Sequence, residues 1–109
     1  MKLNKIVERL NARVFHMGNT EREIQGGYAG DFLSFVMGRA PADCAWFTVM
    51  TNINVSAVAT LADVGVVVLC EGVEPSDPLM EKAVEHNINL IGTELDIFEA
   101  VRVYCENAR

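Results

Sequence analysis

The chain has 109 residues, of which half are hydrophobic and 22 % charged, so it is neither disordered nor large enough for two ordinary domains. Surface scaling lets a chain of this length bury about 65 % of its surface, enough for one core, and residues 1–109 are read as a single domain. The formal charge is −6, and no Lys or Arg lies between Arg39 and Lys82, which excludes a broad basic face for nucleic acid.

Leu3, Ile6, Val7 and Leu10 recur at helical spacing and predict a short amphipathic helix. No apolar run approaches the 18 or so residues of a membrane span, and residues 1–10 lack a signal-peptide core. Arg13 to Met17 reads as a strand, and Gly18-Asn19-Thr20 as a turn. Glu23-Ile24-Gln25 reads as a short strand broken by Gly26-Gly27. Asp31 is placed to cap a helix over 32–37 that Gly38 ends.

The remainder is more regular. Ala45 to Met50 is a strand rich in aromatic and β-branched residues. Thr51 to Asn54 supplies caps for a helix over 55–63, stopped at Gly65. Val66-Val67-Val68-Leu69-Cys70 has no charged or hydrogen-bonding side chain apart from the terminal thiol, as the buried centre of a parallel sheet would. Ser76 or Asp77 caps the next helix, with Pro78 in its first turn and Leu79, Met80, Ala83 and Val84 on its apolar side. Ile88 to Ile91 is a further strand. Thr93 caps the last helix, Asp96 stands where a capping-box partner would, and Phe98, Val101, Tyr104 and Cys105 form the inner face. Strands alternating with helices over short connections predict an α/β fold with a mainly parallel sheet flanked by helices.

In such a sheet, ligands bind beyond the carboxyl ends of the strands. The loops there carry Thr51, Asn52, Asn54, Glu71, Gly72, Glu74, Thr93, Glu94 and Asp96. Two readings stand for these residues: helix caps with solvated charges, or a ligand site centred on Asn52, Asn54, Glu71, Gly72 and Thr93. The carboxylates favour an uncharged or cationic group, or a magnesium-bridged phosphate, over a bare phosphate. Gly26-Gly27-Tyr28-Ala29-Gly30 is neither a dinucleotide fingerprint nor a P-loop. His16 and His86 are far apart in sequence, and the cysteines have no zinc-site spacing. Cys44, Cys70 and Cys105 read as reduced thiols of a cytoplasmic protein. No catalytic constellation emerges, so the chain is not read as an enzyme, and no cofactor is assigned.

Two longer stretches carry a family resemblance: Gly26 to Met37, and Trp46 to Ala59. With Val66 to Gly72 and Gly92 to Ala100 they resemble the short stand-alone DRTGG-domain proteins of anaerobic bacteria. The likeness spans about residues 3–105. It implies an α/β domain that homodimerises and is accessory rather than catalytic, as in its insertion between nucleotide-binding CBS domains of pyrophosphatases. The N-terminal domain of HPr kinase is a more distant relative. The resemblance also implies an association with a hydrogenase or another redox or signalling system. The sequence departs from the pattern where Cys70-Glu71-Gly72 replaces Thr-Gly-Gly and Thr51 to Asn54 replaces Asp-Arg. Loss of that glycine and arginine weakens the case for a nucleotide at the rim. The expectation is therefore a regulatory interaction module that forms a homodimer through Tyr28, Phe32 and Phe35; the alternative is a sensor of an adenine-type nucleotide.

Overall fold

A computed structural model describes residues 1–106. The chain runs α1 (Leu3–Leu10), β1 (Arg13–His16), β2 (Gly27–Ala29), α2 (Leu33–Arg39), β3 (Ala45–Thr48), α3 (Asn54–Leu61), β4 (Val66–Leu69), α4 (Asp77–Glu85), β5 (Leu90–Gly92) and α5 (Ile97–Glu106). One five-stranded sheet has the order β1-β5-β4-β3-β2. Strands β2 to β5 are mutually parallel, and β1 lies antiparallel to β5.

The apolar run Val66–Leu69 is the middle strand, fully buried as the sequence predicts. Side chains alternate across the pleat and so build two cores. Trp46, Val67, Leu69 and Leu90 point to the side covered by α2, α3 and α4, through Val36, Val55, Val58, Leu79 and Ala83. Phe47, Val66, Val68 and Ile91 meet α1 and α5, through Leu3, Ile6, Leu10, Ala100 and Tyr104. This is the α/β architecture read from the pattern.

Several local expectations are corrected. The strand expected at Glu23 to Gln25 is a single bridge between Lys2 and Glu23; the glycines read as its breaker instead begin β2. Gly26 turns the chain at φ 70°, and Gly27 to Ala29 pair with Ala45 to Phe47. An edge strand paired on one side tolerates glycine because β3 supplies the order that side chains do not. Gly38 does not end α2, which runs on to Arg39 before Pro41. Phe98 is 76 % exposed and Cys105 is exposed, because α5 begins at Ile97 and turns Ala100 and Tyr104 inward. Val84, expected on the apolar side of α4, is 54 % exposed.

At the amino ends of the strands, two turns in left-handed geometry are tied by one side chain. Arg22 donates to Asp43 Oδ1 at 2.9 Å and to the Asp63 carbonyl and carboxylate at 2.7 and 2.9 Å. Asp43 and Asp63 sit at φ 67° and 55°. Beside them, the buried Asn89 amide accepts from Gly18 and Asn19 and donates to the Asn19 and Gly65 carbonyls.

Candidate functional site

The parallel strands deliver their carboxyl ends to one rim, and the antiparallel β1 begins there beside Gly92. The structure brings Glu71, Gly72 and Thr93 together. Glu71 N donates to the Leu95 carbonyl at 2.8 Å, and Gly72 N to the Thr93 carbonyl at 2.9 Å. Both residues sit in the left-handed region, with φ 64° and 70°. Thr93 is buried, and its hydroxyl donates to the Leu10 carbonyl at 3.0 Å while accepting from Leu95 N at 3.3 Å. Thr93 is thus not the cap of the last helix: Asp96 accepts from Glu99 N at 2.8 Å and does that work.

Asn52 and Asn54 lie apart from this group. Asn52 Oδ1 accepts from Asn54 N at 2.9 Å, closing a turn into α3. Asn54 is the exposed first residue of α3 and lines a groove between α3 and α4. Asp31 does not cap α2. Its carboxylate accepts from Thr48 Oγ1 at 2.6 Å and from Val49 N at 3.0 Å, holding the end of β3. Neither partner is visible in the local sequence of Asp31.

The rim's donors are therefore largely turned inward. Its field is acidic: burial, and then the charges of Glu71, Asp31 and Asp96, push the Cys70 thiol up to about 12. Arg13, a cation at this end, is paired with Glu74 at 3.1 Å and lies 5.1 Å from the Phe15 ring centre. The cleft between Arg13, Gly72, Gly92 and Glu94 measures about 30 Å³. That is room for a water or two, where small-molecule sites occupy roughly 300–1,000 Å³. Among the described residues, no three His, Cys, Asp or Glu side chains converge on a possible metal position.

Larger concavities lie elsewhere. The α3–α4 groove is about 410 Å³, with Ile53, Ala57 and Leu61 on one wall and Lys82 and His86 on the other. A second, of about 250 Å³, lies between β2 and α5 and is lined by Gly27, Phe47, Val101, Tyr104 and Cys105. On α2, the rings of Phe32 and Phe35 meet edge to face at 4.7 Å and are 61 % and 44 % exposed. The Arg39 guanidinium caps Phe35 at 3.9 Å. Tyr28 is half-buried and packs on the core beneath. The sequence points to these rings and to the helix at α3, but not to the exposed apolar side chains Ile53 and Leu61 on the outer face of that helix. The available signal was the absence of any charged residue between Asp43 and Asp63.

The fold, a mainly parallel sheet covered by helices on both faces, is similar to that of a DRTGG domain. It matches a crystal structure of the CBS and DRTGG domains of the regulatory region of Clostridium perfringens pyrophosphatase, complexed with its activator, diadenosine tetraphosphate. The TM-score is 0.80 at 19 % identity, over 94 % of this chain and 45 % of that one. The chain thus spans less than half the length of its structural neighbour. No protein-family model matches the sequence, and no curated protein matches it. Among the described residues, no helix is long and apolar enough to cross a membrane.

Proposed function

We propose that this chain is a non-catalytic regulatory module that works by self-association and so modulates a redox or signalling complex. The observation that carries the reading is a contrast between two surfaces. The rim, where α/β domains hold ligands, spends its donors on its own loops. The α2 side instead leaves Phe32 and Phe35 in solvent, although a soluble domain gains about 1.5–3 kcal/mol by burying such a side chain. Tyr28, Phe32 and Phe35 would contribute to the two-fold contact. Size exclusion with light scattering at micromolar concentration tests this: a dimer is expected, and a monomer throughout overturns it.

A second reading, a sensor of an adenine-type nucleotide, is supported by the activator held by the structural neighbour. Asn52, Asn54, Glu71, Gly72 and Thr93 would serve it only after rearrangement, because Thr93 is buried and Asn54 faces another groove. Calorimetry with adenine nucleotides, with and without magnesium, separates the readings. Glu71→Gln should weaken a magnesium-bridged complex and strengthen a bare-anion complex. No heat at millimolar nucleotide rejects the sensor.

A further inference from the structure

We infer that the outer face of α3 is the seat of a second copy of this chain, packed about a two-fold axis parallel to α3, so that α2 of each protomer lies over α4 of its partner. The inference rests on the self-association reading and goes further by fixing which helices meet.

The argument starts from composition. A helix on a protein surface normally carries polar or charged groups on its outer side, and one that is apolar all round is normally covered. Helix α3 reads Asn-Val-Ser-Ala-Val-Ala-Thr-Leu and carries no charge. Its inner side buries Val55, Val58 and Ala59. Its outer side shows Ile53, Ala57 and Leu61 beside the uncharged Asn54 and Thr60, with Leu61 72 % exposed and Ile53 42 %. The groove beside it, about 410 Å³ and lined by Ser56, Ala57 and Thr60 as well as larger side chains, leaves room for a bulky group from outside.

Charge then selects the arrangement. Helix α3 packs between α2 and α4. Residues 32–42, which include α2, hold one charge, Arg39, and it has no carboxylate partner among the described residues. Helix α4 holds Asp77, Glu81 and Glu85 against Lys82. The layer therefore runs from positive through neutral to negative. An axis along the neutral helix sets each positive edge on a negative one; an axis across it would set like on like. The first arrangement also directs the Phe32–Phe35 pair towards the α3–α4 groove, with Arg39 near Glu85, whose exposed link to Lys82 at 3.3 Å is easily exchanged. The area suffices as well. The body measures 33 × 26 × 26 Å, so one face offers on the order of 800 Å², the area each partner buries in a standard interface.

The test is light scattering across a dilution series, with circular dichroism to confirm folding. Ala57→Glu places a charge at the centre of the contact without touching the core, and should raise the dimer Kd at least about a hundredfold. Arg39→Glu and Glu85→Arg should each weaken the dimer about tenfold, and the double reversal should recover most of that loss. A monomeric parent protein overturns this inference together with the self-association reading. A dimer that Ala57→Glu leaves intact overturns the inference alone. So does a dimer in which the two charge reversals add rather than compensate. Should Ala57→Glu fail to fold, the charge-reversal pair decides on its own.

Discussion

Gly72 and Glu94 compete for one volume at the carboxyl rim: a Cβ on residue 72 would overlap the Glu94 carboxylate. The backbone at Gly72 is also left-handed, at φ 70°. The loop after β4 and the loop after β5 are tied by the bonds from Glu71 N to the Leu95 carbonyl and from Gly72 N to the Thr93 carbonyl, and the exposed Glu94 side chain lies over the bare backbone of Gly72. The requirement for glycine comes from the backbone, because the Glu94 carboxylate is the end of an exposed side chain that can turn away.

Gly72→Ala should therefore be costly. The left-handed backbone costs an alanine about 1 kcal/mol, whereas the exposed Glu94 side chain can swing aside at little cost. Urea unfolding should show a loss of about 1 kcal/mol. Combining the change with Glu94→Ala should be additive within about 0.5 kcal/mol. A larger coupling would mean that the Glu94 carboxylate is held in place over Gly72.

Val67→Asp or Val68→Asp would place a carboxylate in one of the two cores, since both side chains are fully buried on opposite faces of β4. Either should cost several kcal/mol, a large share of the 5–15 kcal/mol typical of a domain. The same change at Val14, 44 % exposed on the edge strand β1, should cost less than about 1 kcal/mol. If the β4 variants melt within a few degrees of the parent, β4 is not the central strand.

What the sequence disclosed and what it hid divide along the range of the interactions. Val66–Leu69 is legible because a short apolar run with three β-branched valines, bounded by Gly65 and Gly72, favours a strand shielded on both sides. Ser76, accepting from Leu79 N with Pro78 behind it, is legible because a cap is local. Strand β2 is not legible: in Gly27-Tyr28-Ala29 only Tyr28 favours a strand, and the segment is ordered by β3. The start of α5 was ambiguous because Thr93 and Asp96, then Asp96 and Glu99, repeat the same capping spacing one turn apart. Tertiary structure chose the second by burying Thr93 against the Leu10 carbonyl. The candidate ligand residues divide for a related reason: they share loops at strand ends, and loop order does not reveal that Asn54 turns away along α3.

Asp31 stands where a helix cap would and is instead a clamp on β3, which gives it a distinct signature. Removing its carboxylate leaves the buried Thr48 hydroxyl without its acceptor. Asp31→Ala should cost about 1–3 kcal/mol. Adding Thr48→Val, which removes the stranded hydroxyl, should recover part of that cost. A helix cap would show no coupling to residue 48, so an additive double mutant would return Asp31 to the cap role.

The three thiols should differ sharply in reactivity. Burial pushes Cys44 up to about 11 and Cys70 up to about 12, while Cys105 is exposed on α5. The Cys70 thiol also donates to the Val68 carbonyl at 3.8 Å, a bond that the thiolate cannot make. In the native protein at neutral pH, a maleimide should label Cys105 alone, since only thiolate reacts and access is required. The same burial fixes the sign of the alkaline response. In the unfolded chain these thiols ionise near pH 9, whereas the native state holds their protons to about 11 and 12. Between those limits the native state binds more protons than the unfolded state, so stability falls as pH rises. It is unaffected by these groups below about pH 8. Each unit of difference is worth about 1.4 kcal/mol, so a domain of this size should lose a few kcal/mol by pH 10.5. Tyr104, raised to about 12 by burial, extends the decline at the upper end. Cys70→Ala should cost some stability at pH 7 through its small cavity, yet flatten the slope between pH 9 and 11. Urea midpoints at pH 7, 9 and 10.5 for parent and variant measure both effects. Equal slopes, or rapid labelling of all three cysteines in the folded protein, would show that Cys44 and Cys70 are reached by water.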